Sequence, residues 1–219
     1  MRIGMLLFLS LFVVVGGVAA QGGQANEGQK ATAELKDKDG QVVGTATLTQ
    51  QANGVRIQAQ VTGLEPGLHG IHVHTVGKCD PPDFSTAGGH FNPTAKQHGL
   101  QNPAGPHAGD APNLQVGADR KGTFDYLDTA ITFAAGAPAN IFDADGAALV
   151  IHASADDEKM DPAGNSGARI ACGVISLAAN APAQLPTTGG APVSGGLVAA
   201  LGLTLALVGL GLRRELSRA

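Results

Sequence analysis

At 219 residues the chain can hold one ordinary domain with appendages, or two very small domains. Between Gln21 and Thr188 there are ten Lys and Arg against seventeen Asp and Glu, a net charge of −7. That balance argues against nucleic acid as a partner, because phosphate binding needs a basic face.

Residues 1–20, MRIGMLLFLSLFVVVGGVAA, place one Arg ahead of an apolar core that ends in small residues. This is the layout of a secretory signal peptide; a permanent membrane helix is the alternative, and the short apolar run suits it less well. No Cys follows the cleavage region, which argues against a lipoprotein. After a linker over 21–29, three stretches alternate apolar and polar residues: ATAEL (31–35), VVGTATLT (42–49) and VRIQAQV (55–61). A period of two predicts half-buried strands. In the third, Val55, Ile57, Ala59 and Val61 should face the core, and Arg56, Gln58 and Gln60 the solvent. Asp39-Gly40 and Asn53-Gly54 separate the stretches and suit the φ > 0 positions of hairpin turns.

Further strands are expected at HGIHVHT (69–75), around 123–127, at ALVIHA (148–153) and at RIACGVISL (169–177). The pattern contains no long amphipathic helix, so the body reads as an antiparallel barrel or sandwich. Two long loops interrupt it, 77–112 and 153–168, and an ordered loop of unusual length is normally functional.

The histidines carry the chemistry. On a strand His72 and His74 lie two apart and share a face, with Ile71 and Val73 on the other. His90, His98 and His107, followed by Asp110, lie in the first long loop, which is rich in Gly, Pro and Asn and has no apolar face to bury. Three imidazoles and a carboxylate form a ligand set for tetrahedral zinc, and ligand bonds would order a loop that lacks a core. His152 ends an apolar strand, with Asp156 and Asp157 just beyond it. Cys79 and Cys172 are the only cysteines. In an exported chain an even pair reads first as a disulfide, with metal ligation as the alternative. Closing so long a loop is worth roughly 4–5 kcal/mol in the chain-entropy model.

Six segments taken together, GLHGIHVH (67–74), AGGHFNP (87–93), KQHG (96–99), GPHAGD (105–110), LVIHASADD (149–157) and GNSGARIACGVI (164–175), resemble the copper/zinc superoxide dismutase family over about 30–177. The resemblance implies an all-β, eight-stranded antiparallel Greek-key barrel or sandwich with two long functional loops. It also implies an enzyme that converts superoxide to dioxygen and hydrogen peroxide. Copper would be held by His72, His74, His90 and His152, and zinc by His90, His98, His107 and Asp110, with His90 as the bridge. Asp156 matches the carboxylate that links a copper-ligand His to a zinc-ligand His, and Arg169 the arginine that guides and holds the anion. Cys79 and Cys172 match the family's intrachain disulfide. His69 is left over and is expected to make structural hydrogen bonds. Lys159 is a further candidate for steering, although a lone Lys in ADDEKMD also reads as a solvated loop charge.

The insertion DPPDFSTAGG between Cys79 and His90, and the short second loop, look more like bacterial than eukaryotic members. The subunit contact differs between those groups, so the oligomeric state stays open. A non-enzymatic copper-binding or copper-delivery module of the same fold is the alternative to an enzyme. Beyond a linker at 178–184 comes LPTTG (Leu185, Pro186, Thr187, Thr188 and Gly189), then an apolar stretch over 191–212 and Arg213-Arg214. That stretch is long enough to span a bilayer, and the arginines favour a cytoplasmic end. The arrangement over 185–219 resembles a Gram-positive sorting signal, in which a sortase cuts after Thr188 and joins the chain to cell-wall peptidoglycan. A plain single-pass anchor is the alternative. Either way the expected location is the cell surface.

Overall fold

A computed structural model describes residues 27–178. The expected leader (1–20), the apolar stretch (191–212) and the sorting segment (185–219) lie outside the described residues. Three strands come first, β1 (Lys30–Asp37), β2 (Val42–Gln51) and β3 (Gly54–Thr62), as an antiparallel meander. Then follow β4 (Gly67–His69), β5 (Ile71–His74), β6 (Leu114–Val116), β7 (Lys121–Asp128), β8 (Ala148–His152), β9 (Arg169–Val174) and β10 (Ser176–Leu177). The sheet order is β4-β6-β7-β3-β2-β1-β9-β8-β5, antiparallel throughout, with β10 also pairing β1.

The two ends of that path, β4 and β5, are halves of one run interrupted at Gly70. The sheet therefore curls round until its first and last segments meet in the same strand, giving a nearly closed barrel. Ile175 splits β9 from β10 in the same way, so the ten segments make up the eight expected strands. The connections β3 to β4 and β7 to β8 each pass over two intervening strands, which is the Greek-key feature.

Alternation behaves as its physics requires. In β3, Val55, Ile57, Ala59 and Val61 are buried while Arg56, Gln58 and Gln60 are exposed. Leu48, Ile57 and Tyr126 sit side by side across β2, β3 and β7. Each fully buried Leu, Ile or Val contributes roughly 1.5–3 kcal/mol relative to exposure. The turns differ from the expectation in detail. Only the glycines take positive φ, Gly40 at 79° and Gly54 at 147°, whereas Asp39 and Asn53 do not. The first turn is shaped by Asp37, whose Oδ1 accepts the N–H groups of Asp39 and Gln41 at 2.9 and 2.8 Å. At Gly54 a Cβ would lie 2.2 Å from the Asp128 carbonyl oxygen, so close packing on β7 requires glycine there.

Two elements escape the alternation reading. β6 is only three residues long, and a third long connection runs over 129–147. That connection adds Ile131, Phe133 and Ile141 to the core. It is tied to β2 by Gln50, whose Oε1 accepts from Phe133 N at 2.6 Å. β8 is buried on both faces: Leu149 and Ile151 join the main core, while Ala148 and Val150 join a second cluster with Phe84, Ala87, Cys172 and Cys79. His152 shares the outward side of β8 with Ala148 and Val150, and His72 and His74 point away from Ile71 and Val73. The loops 75–113 and 153–168 cover this outward side.

Candidate metal centre

β5 is held on both edges. It pairs with β8 on one side. On the other, Val73 N donates to Gly109 O at 2.9 Å, Phe91 N to Val73 O at 2.8 Å, and Thr75 N to Gly89 O at 2.9 Å. The first long loop is thus laid along β5, which puts His90 opposite His74. Gly109 is dictated by this contact, since a Cβ there would come within 2.2 Å of Val73 O.

His72, His74, His90 and His152 form one group whose ligand atoms all lie within 4.8 Å of one another. In each, one ring nitrogen is committed. His72 Nε2 donates to Asp156 Oδ2 at 2.7 Å, His74 Nδ1 to Gly88 O at 2.9 Å, and His152 Nδ1 to Gly167 O at 3.2 Å. His90 Nδ1 faces Asp110 Oδ1 at 2.8 Å. The other nitrogens, His72 Nδ1, His74 Nε2, His90 Nε2 and His152 Nε2, are buried without any partner. A carbonyl or carboxylate on one nitrogen fixes the tautomer and leaves a lone pair on the other. Convergent lone pairs with no donor among them suit a cation.

At His74, His90 and His152 protonation does not compete near neutral pH. Burial, with His90 adding to it, holds His74 well below the usual imidazole range. Burial lowers His152 to about 3, with the neighbouring His72 and Arg169 acting in the same direction. His90 falls to about 4, again mainly through burial, against the pull of Asp110.

The second group is His90, His98, His107 and Asp110. Asp110 Oδ1 lies 2.8, 3.0 and 3.3 Å from the Nδ1 atoms of His90, His98 and His107. Its Oδ2 accepts the backbone N–H groups of Gly99 and His107 at 2.8 and 3.0 Å. Burial opposes ionisation of Asp110, but bonds from His90, His98 and Gly99 outweigh it and hold the carboxyl well below its ordinary range. His98 is the converse: burial disfavours its charge, yet carboxylates on both nitrogens raise it to about 9. The carboxylates of Asp110 and Asp156 facing His98 suit a divalent cation, and three imidazoles with one carboxylate are a zinc set.

Asp156 joins the groups. Its Oδ2 takes His72 Nε2, and its Oδ1 takes His98 Nε2 at 3.0 Å. Its backbone is pinned by Asn113, whose Nδ2 donates to Asp156 O at 2.8 Å and whose Oδ1 accepts Asp156 N at 2.7 Å. Sequence reading missed Asn113, and no local signal marks it. Arg169 pairs with His152 across β9 and β8, and its guanidinium donates to Phe84 O and Gly88 O at 2.6 and 2.5 Å.

Cys79 and Cys172 form the disulfide, and so are not metal ligands. His69 has the structural role expected of it, with Nδ1 and Nε2 each 2.8 Å from a backbone oxygen, of His152 and Glu65. Lys159 is exposed, and its hydrogen bonds run through its backbone, N to Asp157 Oδ1 and O from Asn102 Nδ2. The LPTTG residues lie outside the described residues.

Residues 42–175 match the family described as copper/zinc superoxide dismutase (SODC). The chain is 47% identical over 149 residues to superoxide dismutase (Cu-Zn) 1 of Aquifex aeolicus, covering 67% of this chain and 87% of that one. It is 44% identical over 146 residues to the superoxide dismutase-like protein YojM of Bacillus subtilis, covering 65% and 74%. The crystal structure of a SOD-like protein from Bacillus subtilis matches with a TM-score of 0.63 at 43% identity, covering 65% of this chain and 95% of that one. Likeness on this scale, joined to the barrel and the two histidine groups, means that the chain belongs to the copper/zinc superoxide dismutase family, whose members bind copper and zinc.

Proposed function

We propose that this protein is an active superoxide dismutase, with copper at His72, His74, His90 and His152 and zinc at His90, His98, His107 and Asp110. The observation that carries the reading is the set of four buried, partnerless imidazole nitrogens sharing His90 with a complete zinc set. The overall reaction takes two superoxide ions and two protons to dioxygen and hydrogen peroxide. Copper supplies the one-electron chemistry, since imidazole ligands suit both of its oxidation states.

The rest belongs to the chain. His90 Nδ1 is committed to the Asp110 side, so its Nε2 is the atom at which a proton can be held and passed on. Asp156 and Asn113 fix the ring orientations of His72 and His98. Arg169 spends N–H groups on two carbonyls and has others left for a small anion. In a chain whose body carries −7, that local positive charge is what can draw superoxide inward, with the exposed Lys159 as a second contributor.

The working location we propose is the cell surface. The leader, the LPTTG segment from Leu185 to Gly189, the apolar stretch and Arg213-Arg214 support export and attachment to peptidoglycan by a sortase. Mass spectrometry of protein freed by wall-digesting enzymes tests this. A C-terminus at Thr188 carrying wall peptide supports it, and an intact tail in the membrane fraction leaves the plain anchor.

For the chemistry, copper and zinc per chain are measured together with superoxide decay, in the parent and in His152→Ala. The expected result is one of each metal and rapid decay in the parent, with activity lost and zinc retained in the variant. A parent that holds copper without accelerating decay would be a copper-binding module instead.

A further inference from the structure

The Arg169 guanidinium is clamped at two points, Phe84 O through Nη1 and Gly88 O through Nη2. Gly88 O also accepts His74 Nδ1–H, so that end of the clamp is shared with the histidine group. The other end rests on an unusual residue. Phe84 has φ 53° and ψ 25°, a left-handed conformation that bulky side chains rarely adopt. Its side chain is 1% exposed, in the cluster with Ala87, Ala148, Val150 and the two cysteines.

The disulfide does not account for this arrangement, because Asp80, Pro81, Pro82 and Asp83 separate Cys79 from Phe84. Local bonds shape the turn: Phe84 N donates to Asp80 O at 3.1 Å, Ala87 N to Phe84 O at 3.1 Å, and Ser85 N to Asp83 Oδ1 at 3.0 Å. None of them calls for an aromatic side chain. A large apolar group is needed only to hold a left-handed turn down on the outward side of β8 and β9.

We propose that Phe84 is a positioning residue for Arg169: burial of its ring holds the turn that aims the Phe84 carbonyl at Nη1, and so sets where the guanidinium meets an anion. The inference rests on the dismutase reading for its role in turnover, but the clamp can be tested without turnover. Without the ring, Arg169 keeps its charge and loses its fixed orientation, so anion capture weakens while the metal ligands stay in place.

The test is a double-mutant cycle in the copper- and zinc-loaded protein: Phe84→Ala, Arg169→Ala and both together. Two quantities are read per bound copper, azide affinity from the visible copper absorption and the rate constant for superoxide decay at several ionic strengths. Phe84→Ala should weaken azide binding and slow decay about fivefold to tenfold, with a flatter salt dependence. In the Arg169→Ala background the same change should cost less than about twofold, because coupled residues are non-additive. Phe84→Leu should restore most of the loss, and Phe84→Gly, free to be left-handed but without a ring, should not. Equal losses in both backgrounds, or a Phe84→Gly protein that matches the parent, would overturn the proposal. A parent that binds azide yet leaves superoxide untouched defeats the dismutase reading alone, since the azide cycle still decides the clamp.

Discussion

The wall formed by β1, β2, β3 and β7 and the opposite wall formed by β5, β8 and the start of β9 belong to one barrel but are held by different forces. In the first, buried and mostly apolar side chains alternate with exposed ones, most strictly in β1 and β3, and long backbone ladders run from Lys30 to Asp128. In the second, β5 and β8 are short and buried on both sides. Their outward faces lie under loops fastened by a disulfide, two aspartates and backbone carbonyls. The first wall is held chiefly by the transfer of apolar side chains out of water. The second buries polar rings, and that is tolerable only while every lone pair and N–H has something to answer it.

The clearest way to break this contrast is a buried carboxyl on the plain wall. Asp128 ends β7 with its Oδ1 accepting Ala130 N at 2.8 Å and its Oδ2 buried without a partner. Burial raises its carboxyl to about 7, against bonds from Ala130 and Ile131, with Asp110 adding to the rise. A raised folded-state value means that the native chain binds the extra proton. Stability from this group is therefore full below the unfolded carboxyl range and is lost as pH rises through about 7. The swing is about 4 kcal/mol at most. Asp128→Asn, which mimics the protonated acid, should remove that slope in denaturant titrations between pH 5 and about 8. An unchanged slope would mean that Asp128 is ionised in the fold.

Leu48→Ala sharpens the contrast from the other side. Leu48 is fully buried between β1 and β3, and its truncation should cost about 3 kcal/mol in unfolding free energy. Copper and zinc per folded chain should not change. If metal content fell with stability, the walls would be one cooperative unit.

On the metal side, Asp156→Ala should do the reverse. Loss of the link between His72 and His98 should weaken metal retention about 10–100-fold in chelator competition, as for other groups that orient metal ligands. Measured without metals, it should leave the unfolding midpoint higher than Leu48→Ala does. The smallest effect is expected at Arg56, which is paired with Asp125 at 2.7 Å on the exposed side of the plain wall. Arg56→Ala should leave both midpoint and metal content where they were, because solvent screens such pairs.

Legibility follows the same division. β1, β2 and β3 could be read because a strand with one wet face must alternate, and ATAEL and VRIQAQV do. The seven residues of the two candidate metal groups were legible mainly through the family resemblance of the six segments that contain them, and the structure brings all of them together. What stayed hidden depends on tertiary contact. β6 is too short to show a period, and the break at Gly70 has no local signature. Phe84 and Gly88 act through carbonyl oxygens that every residue type possesses. Asn113 could be found only once its two bonds to Asp156 were visible. The pairing of Cys79 with Cys172 was legible, but not the apolar cluster formed around it.

The near closure of the barrel has a consequence for how this chain meets other copies of itself. An unpaired strand edge is a template for intermolecular sheet growth, and a fully closed barrel has none. Here the seam lies at Gly70, where Gly70 N donates to Ser154 O at 2.9 Å, and along the outer edge of β5, where Gly89, Phe91 and Gly109 supply the missing backbone partners. The segments that carry His90 and lead into Asp110 therefore also act as guards against aggregation. Conditions that lift the first loop, such as reduction of the Cys79–Cys172 bond together with chelation, would uncover Ile71 and Val73 on an open edge. Colloidal stability in this chain is thus tied to the same few residues as its chemistry.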